Sequence, residues 1–436
     1  MSYLEVIGGR RLQGGIRIQG SKNAALPILS AAVLHSGVTV LKNCPKIIDV
    51  KNMLEILRDF GCRVDWEGDV LIIDASGMHG GAARKQYARK MRSSIMLLGS
   101  LLGRVGSACL PYPGGCVIGE RPIDLHLAAL RQMGARVEEG DEGLLAVCES
   151  PKGAEVVLPF PSVGATENVI LLSVLSEGIT VLDNAAREPE IEELCRFLNS
   201  MGACIRGGGS SRIVIAGVEK LHDTEFTIGP DRIVAGTYML LTAAAGGRVF
   251  LEAAPAGQLK GVLNLLGRMG VCAEERKDGL WIGRSGRICS PGTVQTEPYP
   301  GFPTDLQSPL MAVLAGAEGE SRIRETIFEA RFKIVEDLKR MGADICTKGQ
   351  EAVIRGREML HGETLAAQEL RGGAALVLAA AAAEGSSRIR GLSYIERGYE
   401  NIVRDLQALG VVVNLREENE KDAVYERTWE KPERKI

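Results

Sequence analysis

The chain lacks the features that would place it in several common classes of protein. Its 436 residues carry 52 basic and 55 acidic side chains, so it has no charge excess of the kind that nucleic-acid or membrane binding uses. The longest apolar run covers residues 374–383, and a membrane-spanning helix needs about 20 residues. The N-terminus has no basic segment followed by an apolar core, as a secretory signal would. We therefore expect a cytoplasmic protein that binds neither nucleic acid nor a membrane.

Motifs for metals and common cofactors are also missing. The ten cysteines form no CxxC pair and no cysteine–histidine cluster of zinc spacing, which favours separate thiols in a reducing compartment. The sequence has no GxxxxGK[ST] motif, and no GxGxxG motif in a strand–helix–strand setting. We expect no metal and no cofactor.

A repeat runs through the whole chain. The phrases FGCRV, MGARV, MGACI, MGVCA, MGADI and LGVVV place glycines at positions 61, 134, 202, 270, 342 and 410. A second set of glycines, at 37, 106, 178, 247, 319 and 385, keeps the same spacing. Each lies where a left-handed residue would end a helix before a strand. The chain is therefore expected to contain six similar units.

Two kinds of helix alternate between these glycines. The stretch before each glycine of the second set has small, apolar residues on all sides, as in SIMLLGSLLG and AALVLAAAAA, and predicts a helix buried in a core. The stretch before each glycine of the first set has an apolar stripe of helical spacing, which predicts a helix that covers a surface. Short β-rich runs follow it. The predicted unit is strand, buried helix, strand, amphipathic helix and two strands, with three units in each of two domains.

Polar residues mark the starts of the six buried helices. They are Lys22 and Asn23, Arg92, Ser162 and Thr166, Arg232, Asp305, and Arg371. A cation at a helix N-terminus opposes the helix dipole at a cost of about 0.3 to 1 kcal/mol, so we expect an anion in a shared cleft to offset that cost. Pairing with local carboxylates, such as Asp231 beside Arg232, is the alternative. Arg331 and Arg397, each just before an amphipathic helix, fit the same cleft.

Two residues in this setting could carry chemistry. Asp305 is a candidate general base, because neighbouring cations would keep it ionised; capping of the following helix is the alternative. Cys116 lies in the glycine-rich loop PYPGGCVIGERPIDLH, with Arg121 within reach of an anion. An inert thiol in a surface turn is the alternative for Cys116. A reactive Cys116 would make this loop a lid over a phosphorylated or carboxylated substrate.

Nine segments of the sequence, in order, resemble the UDP-N-acetylglucosamine enolpyruvyl transferases. They are GSKNAALPILSAAVL, KMRSSI, PGGCVIGERPIDLHL, PSVGATENV, AAREPEIEEL, GPDRIVAGTY, GFPTDLQ, ETIFEARF and IERGYE. The resemblance implies an α/β protein with a two-domain inside-out α/β barrel, in which each domain has three βαβαββ repeats. Residues 22–229 would form one domain, residues 1–21 with 230–415 the other, and residues 416–436 a charged tail.

The resemblance also implies a reaction. The enolpyruvyl group of phosphoenolpyruvate would pass to the 3′-hydroxyl of UDP-N-acetylglucosamine through a tetrahedral ketal, with release of phosphate, as the first committed step of peptidoglycan synthesis. The phosphate would bind Lys22, Arg121 and Arg397, while Arg331 and Arg371 would face the carboxylate side or shape the closed site. Cys116 would donate a proton to the methylene and react with fosfomycin, and Asp305 would accept the proton of the sugar hydroxyl. The residues implied for the UDP-sugar are Asn23, Arg92, Pro122, Ile123, Asp124, Leu125, His126, Ser162, Val163, Gly164 and Ile327.

The sequence departs from the pattern of that family at a few positions. The cysteine loop has an extra residue before its glycines, and Phe160, Ala330, Lys333 and Glu369 replace the usual residues. Two alternatives stay open, a shikimate-type enolpyruvyl transferase and a low-activity paralogue that acts as a binding protein. The second would be expected to lose Lys22, Cys116 or Asp305, and all three are present.

Overall fold

The structure is a computed structural model that describes residues 2–80, 83–114, 123–141 and 143–417, apart from the side chain of Lys85. Cys116, Arg121 and Pro122 lie outside these ranges, as does the predicted tail from residue 418 onward. The first two residues assigned to that tail, Arg416 and Glu417, instead end the last described strand.

Helices account for much of the described chain. In chain order they are α1 (Lys22–Ala31), α2 (Ile48–Asp59), α3 (Lys85–Ala88), α4 (Leu97–Val105), α5 (Asp124–Gln132), α6 (Val163–Ser173), α7 (Pro189–Ser200), α8 (Arg232–Ala245), α9 (Lys260–Arg268), α10 (Gln307–Leu314), α11 (Val335–Arg340), α12 (Leu370–Ala382), α13 (Leu392–Ile395) and α14 (Ile402–Ala408). Short 3-10 helices cover Ala32–Leu34, Arg92–Met96, Ala256–Gln258 and Thr304–Leu306. Within the described ranges, no helix is both long enough and apolar enough to cross a membrane.

The strands are shorter than most of the helices. In chain order they are β1 (Ser2–Ile7), β2 (Leu12–Arg17), β3 (Val38–Lys42), β4 (Arg63–Glu67), β5 (Val70–Asp74), β6 (Ser107–Leu110), β7 (Arg136–Gly140), β8 (Gly143–Val147), β9 (Glu155–Val157), β10 (Ile179–Asp183), β11 (Cys204–Arg206), β12 (Arg212–Ala216), β13 (Thr224–Thr227), β14 (Gly247–Glu252), β15 (Cys272–Arg276), β16 (Gly279–Arg284), β17 (Thr293–Gln295), β18 (Glu320–Arg324), β19 (Asp344–Lys348), β20 (Glu351–Arg355), β21 (Thr364–Ala366), β22 (Ser386–Arg390) and β23 (Val412–Glu417).

The six helices predicted to be buried are α1, α4, α6, α8, α10 and α12, and most of their side chains are buried. Four of them begin at a side-chain cap, because Ser21, Ser162, Asp231 and Glu369 each accept a hydrogen bond from a backbone N–H of the first turn. The other two, α4 and α10, continue from 3-10 helices without such a cap. The predicted alternation of buried and amphipathic helices is confirmed.

The repeated glycines have the left-handed backbone that the repeat predicted, with one exception, but of the second set only Gly106 directly caps a helix. The glycines at 61, 134, 202, 270, 342 and 410 all have φ between 84° and 97°. The second set also has positive φ, apart from Gly37. A Cβ atom at Gly37 would lie 2.1 Å from Oδ1 of Asp223. Close packing against the Asp223 carboxylate therefore favours glycine at position 37, where the repeat predicted a left-handed turn.

Six sheets surround the buried helices. Their strand orders are β13-β3-β5-β4, β6-β8-β7, β11-β12-β10-β9, β15-β16-β14-β2, β17-β18-β20-β19 and β21-β22-β1-β23. In each four-stranded sheet one edge strand is parallel to its neighbour and the other pairs are antiparallel. The sheet of the second unit has three strands within the described residues, because the stretch before Arg92 contains α3 in place of the predicted strand.

The chain crosses between two hydrophobic cores. Apolar residues between 24 and 228 form one core, and those of 4–18 with 233–413 form the other. Strand β2, which leads into α1, is parallel to β14, and β13, which leads into α8, is parallel to β3. Each of these strands therefore belongs to the sheet of the other half. This exchange supports domain boundaries at residues 21/22 and 229/230, which stay our proposal.

Candidate active site

A cavity of about 520 Å³ lies where the starts of the buried helices of both cores meet. Fourteen of the eighteen residues predicted for a site line it. They are Lys22, Asn23, Arg92, Asp124, Leu125, His126, Ser162, Val163, Gly164, Asp305, Ile327, Arg331, Arg371 and Arg397. Ile123 instead packs into the hydrophobic core. Cys116, Arg121 and Pro122 lie outside the described residues, and Gly114, two residues before Cys116, lines the cavity.

One carboxylate holds two of the predicted phosphate-binding cations. Asp49, in the first turn of α2, contacts Nζ of Lys22 at 2.7 Å and Nε of Arg397 at 2.9 Å. Burial would raise the pKa of Asp49, but Lys22 and Arg397 outweigh it and hold that pKa below its ordinary value. Burial also lowers the pKa of Lys22, a shift that Asp49 opposes and the nearby Arg371 and Arg397 increase. The pKa values of Lys22 and Asp49 therefore depend on each other and on the charge of Arg397.

A second carboxylate holds the other two arginines. Asp305 accepts hydrogen bonds from Nη2 of Arg331 at 2.7 Å and from Nη2 of Arg371 at 2.9 Å. Arg331 also donates to the carbonyl of Thr304, which fixes its position. Burial would raise the pKa of Asp305, but Arg371 and Arg331 outweigh it, so the pKa lies well below its usual range. Asp305 is ionised as predicted, and its carboxylate binds the arginines instead of capping α10.

A third ion pair joins the two halves of the chain at the cavity wall. Nε of Arg232, at the start of α8, lies 3.0 Å from Oε1 of Glu190, in the first turn of α7, and both side chains are buried. The guanidinium of Arg232 also lies over the ring of Tyr299 at 5.5 Å. The sequence offered pairing with a carboxylate as the alternative to anion binding, and Arg232 does pair with a carboxylate. The partner is Glu190, because neighbouring Asp231 caps α8.

The same wall contains two further carboxyl groups. Glu167 is 1% exposed, and neither of its oxygens has a hydrogen-bond partner. Burial, together with Glu190 and Glu188, raises the pKa of Glu167 well above its ordinary value, and burial raises the pKa of Glu188. Glu167 therefore keeps its proton to a higher pH than an ordinary glutamic acid does. Asp305 therefore shares the cavity with several other carboxyl groups.

The start of α6 and the start of α5 form another part of the wall. The ring of His126 packs against Gly164, where a Cβ atom would lie 2.6 Å from Cε1 of the ring. Asn168, one turn further along α6, lies with its Nδ2 2.9 Å from Nδ1 of His126. Thr166, which the sequence placed with Ser162 at this helix start, is fully buried and accepts a hydrogen bond from the backbone N–H of Ala186. Thr166 supports the wall and does not line the cavity.

Sequence reasoning missed Asp49, Glu190, Glu167 and Glu188. A usable signal existed for two of them, because Asp49 and Glu190 both lie in the first turn of an amphipathic helix. A carboxylate is favoured there by the helix dipole, which also explains it without a functional role. Only the fold shows that each of these carboxylates faces a cation at the start of a buried helix.

Comparison with known proteins gives consistent results. The sequence matches the family described as EPSP synthase (3-phosphoshikimate 1-carboxyvinyltransferase) over residues 6–406. It is 46% identical to UDP-N-acetylglucosamine 1-carboxyvinyltransferase 2 of Caldanaerobacter subterraneus, over 94% of this chain and 98% of the relative. It is also 46% identical to UDP-N-acetylglucosamine 1-carboxyvinyltransferase 1 of Symbiobacterium thermophilum, with 94% of both chains covered.

Solved structures show the same similarity. The enolpyruvyl transferase NikO from Streptomyces tendae superposes with a TM-score of 0.84 at 25% identity, over 95% of this chain and 98% of that one. EPSP synthase from Acinetobacter baumannii superposes with a TM-score of 0.74 at 19% identity, over 96% of this chain and 100% of that one, which is evidence for the fold alone.

Proposed function

Because this chain belongs to the EPSP synthase family of carboxyvinyltransferases, we propose that it transfers the enolpyruvyl group of phosphoenolpyruvate to the 3′-hydroxyl of UDP-N-acetylglucosamine. It has the two-domain enolpyruvyl transferase fold that the sequence predicted. The choice of acceptor rests on the relatives of that name, which are 43% to 46% identical over 94% of this chain. The product would enter peptidoglycan synthesis. We propose a cytoplasmic enzyme, because the ten cysteines have the spacing of separate thiols in a reducing compartment.

The cations of the cavity would bind phosphoenolpyruvate. Lys22 and Arg397 would hold its phosphate, and Arg331 and Arg371 would face its carboxylate. These four residues line one cavity and carry the positive charge that a trianionic substrate requires. Arg371 is well suited to the role, because its Nη1 is buried without a hydrogen-bond partner.

Asp305 would be the general base for the sugar hydroxyl. While both arginines bind it, its low pKa makes it a weak proton acceptor. The carboxylate of phosphoenolpyruvate would compete for Arg331 and Arg371, and loss of one pair would bring the pKa of Asp305 closer to its ordinary value. We therefore infer that binding of phosphoenolpyruvate activates the base.

The chemical steps follow from the resemblance, since Cys116 and Arg121 lie outside the described residues. Addition would move a proton from Cys116 to the methylene carbon of phosphoenolpyruvate, while the sugar oxygen bonds to C2 and Asp305 takes the hydroxyl proton. In the elimination step the Cys116 thiolate left by addition would take a proton from the new methyl group, and phosphate would leave C2 with the electrons of the C–O bond, which restores the double bond. Arg121 would contact the phosphate. Cys116 would also be the site at which fosfomycin reacts, and Asn23, Arg92 and the starts of α5 and α6 would bind the UDP-sugar.

Phosphate release from phosphoenolpyruvate by the purified protein tests this function. We expect release that requires UDP-N-acetylglucosamine, with a mass increase of the sugar nucleotide that corresponds to the enolpyruvyl group. Shikimate 3-phosphate serves as the competing acceptor. Release with shikimate 3-phosphate and none with UDP-N-acetylglucosamine would mean that the acceptor is wrong. Binding of both substrates without release by either acceptor would favour the binding-protein alternative.

A further inference from the structure

Asp49 lines the cavity, and neither the repeat nor the family resemblance gave it a role. We propose that Asp49 is a positioning residue for donor binding, which holds the Lys22 ammonium and the Arg397 guanidinium together as one phosphate-binding pair. The inference rests on the proposed function, in which the phosphate of phosphoenolpyruvate binds Lys22 and Arg397. It adds a residue that acts through them and does not itself contact the donor.

The contacts of Asp49 use both of its oxygens. Oδ2 lies 2.7 Å from Nζ of Lys22 and 3.2 Å from Nη2 of Arg397, and Oδ1 lies 2.9 Å from Nε of Arg397. The side chain of Asp49 is 3% exposed, while those of Lys22 and Arg397 are 11% and 24% exposed. The carboxylate is therefore behind the cations, and the cations are nearer to the open part of the cavity.

The backbone fixes this arrangement across the two cores. Ile48, next to Asp49, donates its backbone N–H to the carbonyl of Glu396 at 3.0 Å, next to Arg397. The backbone N–H of Lys46 donates to the carboxylate of Glu400 at 2.5 Å. The two segments are thus attached on either side of the ion pair. Asp49 connects the start of α2, in one core, to a cation of the other core.

Lys22 requires a counter-ion in this position. The charged groups that face it are Asp49 from α2, Arg371 from α12 and Arg397 from the segment before α14, and Asp231 accepts its backbone N–H at 3.0 Å. Burial and the two arginines lower the pKa of Lys22, and Asp49 opposes them. Without Asp49 the ammonium would lose its proton at a lower pH. An uncharged amine would bind phosphate weakly.

The test compares Asp49→Asn with a matched surface change, Asp69→Asn. Asp69 also pairs with a lysine, Lys46, at 2.7 Å, but its side chain is 95% exposed. We would measure kcat/KM for phosphoenolpyruvate from about pH 6 up to the highest pH at which the protein stays folded, so that the alkaline limit set by Lys22 can be compared between variants. Asp49→Asn should lower kcat/KM about 100-fold, because removal of one partner leaves a buried charge without its counter-ion.

Two further readouts separate positioning from a general structural role. The alkaline limit of kcat/KM should move to lower pH in Asp49→Asn and stay in place in Asp69→Asn. The Kd for UDP-N-acetylglucosamine should stay within about threefold of wild type, because UDP-sugar binding does not use this pair. A loss that is equal at every pH and extends to UDP-sugar binding would overturn the inference, as would an unchanged kcat/KM.

A second variant tests the inference if Asp49→Asn does not fold, and a binding measurement tests it if the wild type is inactive. If Asp49→Asn does not fold, Asp49→Glu should retain the alkaline limit of wild type, and a limit shifted to lower pH would contradict us. If wild type releases no phosphate with UDP-N-acetylglucosamine, the proposed function fails and calorimetry with inorganic phosphate tests Asp49 alone. Weaker phosphate binding above neutral pH in Asp49→Asn, but not in Asp69→Asn, would support the inference, and equal binding would overturn it.

Discussion

Replacement of Asp305 by Asn should have opposite effects on donor binding and on turnover. Asp305 accepts hydrogen bonds from Arg331 and Arg371, the two residues proposed for the donor carboxylate. A donor carboxylate that binds both arginines would compete with Asp305 for their N–H groups. Asparagine has nearly the same shape and no charge, so it should compete less for the arginines and should not act as a base.

The size of both effects can be worked out from the contacts. A hydrogen bond to a charged group contributes about 1.5 to 3 kcal/mol net, so loss of one competing pair should tighten phosphoenolpyruvate binding about 10- to 100-fold. The side chain of Asp305 is 28% exposed, so solvent screening favours the lower end. Loss of a general base lowers the rate by about 100- to 10,000-fold, which sets the expected fall in kcat.

Calorimetry gives the donor affinity directly. The Kd for phosphoenolpyruvate should be measured with UDP-N-acetylglucosamine bound, since KM equals Kd only when chemistry is slow. Asp344→Asn is a suitable control, because Asp344 also lies between two arginines, Arg357 at 2.9 Å and Arg355 at 3.9 Å, on the surface. Unchanged or weaker donor binding in Asp305→Asn would place the donor carboxylate elsewhere. Normal turnover would remove Asp305 from the mechanism.

Three more predictions concern other parts of the site. Glu167→Gln should become more stable to heat than wild type as the pH rises above 4.5, the ordinary pKa of glutamic acid. Burial, with Glu190 and Glu188 nearby, raises the pKa of Glu167, so the folded wild type keeps a proton that the unfolded chain releases. A melting-temperature difference that does not change with pH would contradict this. Gly164→Ala should weaken UDP-N-acetylglucosamine binding about 10-fold by displacing a packed ring, whereas Gly267→Ala, which meets no atom within 4 Å, should bind normally. Fosfomycin should add once to the protein in intact-mass measurements with the UDP-sugar present, and the adduct should be absent from Cys116→Ser; modification of another of the ten cysteines would refute the assignment.

Much of the fold could be predicted because its rules are local. An all-apolar stretch predicts a buried helix, and a glycine at a fixed spacing predicts a left-handed helix end, so α12 and the turn at Gly410 follow from the sequence. The exceptions have tertiary causes. Gly37 packs against the carboxylate of Asp223, a residue far along the chain, and lacks the left-handed backbone that the repeat predicted. Helix α3 replaces a predicted strand in the second unit, and nothing in the repeat indicates that change.

By itself, the sequence determined which residues stand at the helix starts, and the repeat determined that these starts would converge. Only the tertiary structure decided which carboxylate faces which cation. Asp49 and Arg397 are 348 residues apart, and Glu190 and Arg232 are 42 apart, so no local pattern relates them. The fold also decided the direction of the pKa shifts, because two arginines lower the pKa of Asp305, whereas burial beside two other carboxyl groups raises the pKa of Glu167. A pKa depends on desolvation and on neighbouring charge, and both exist only after the chain has folded.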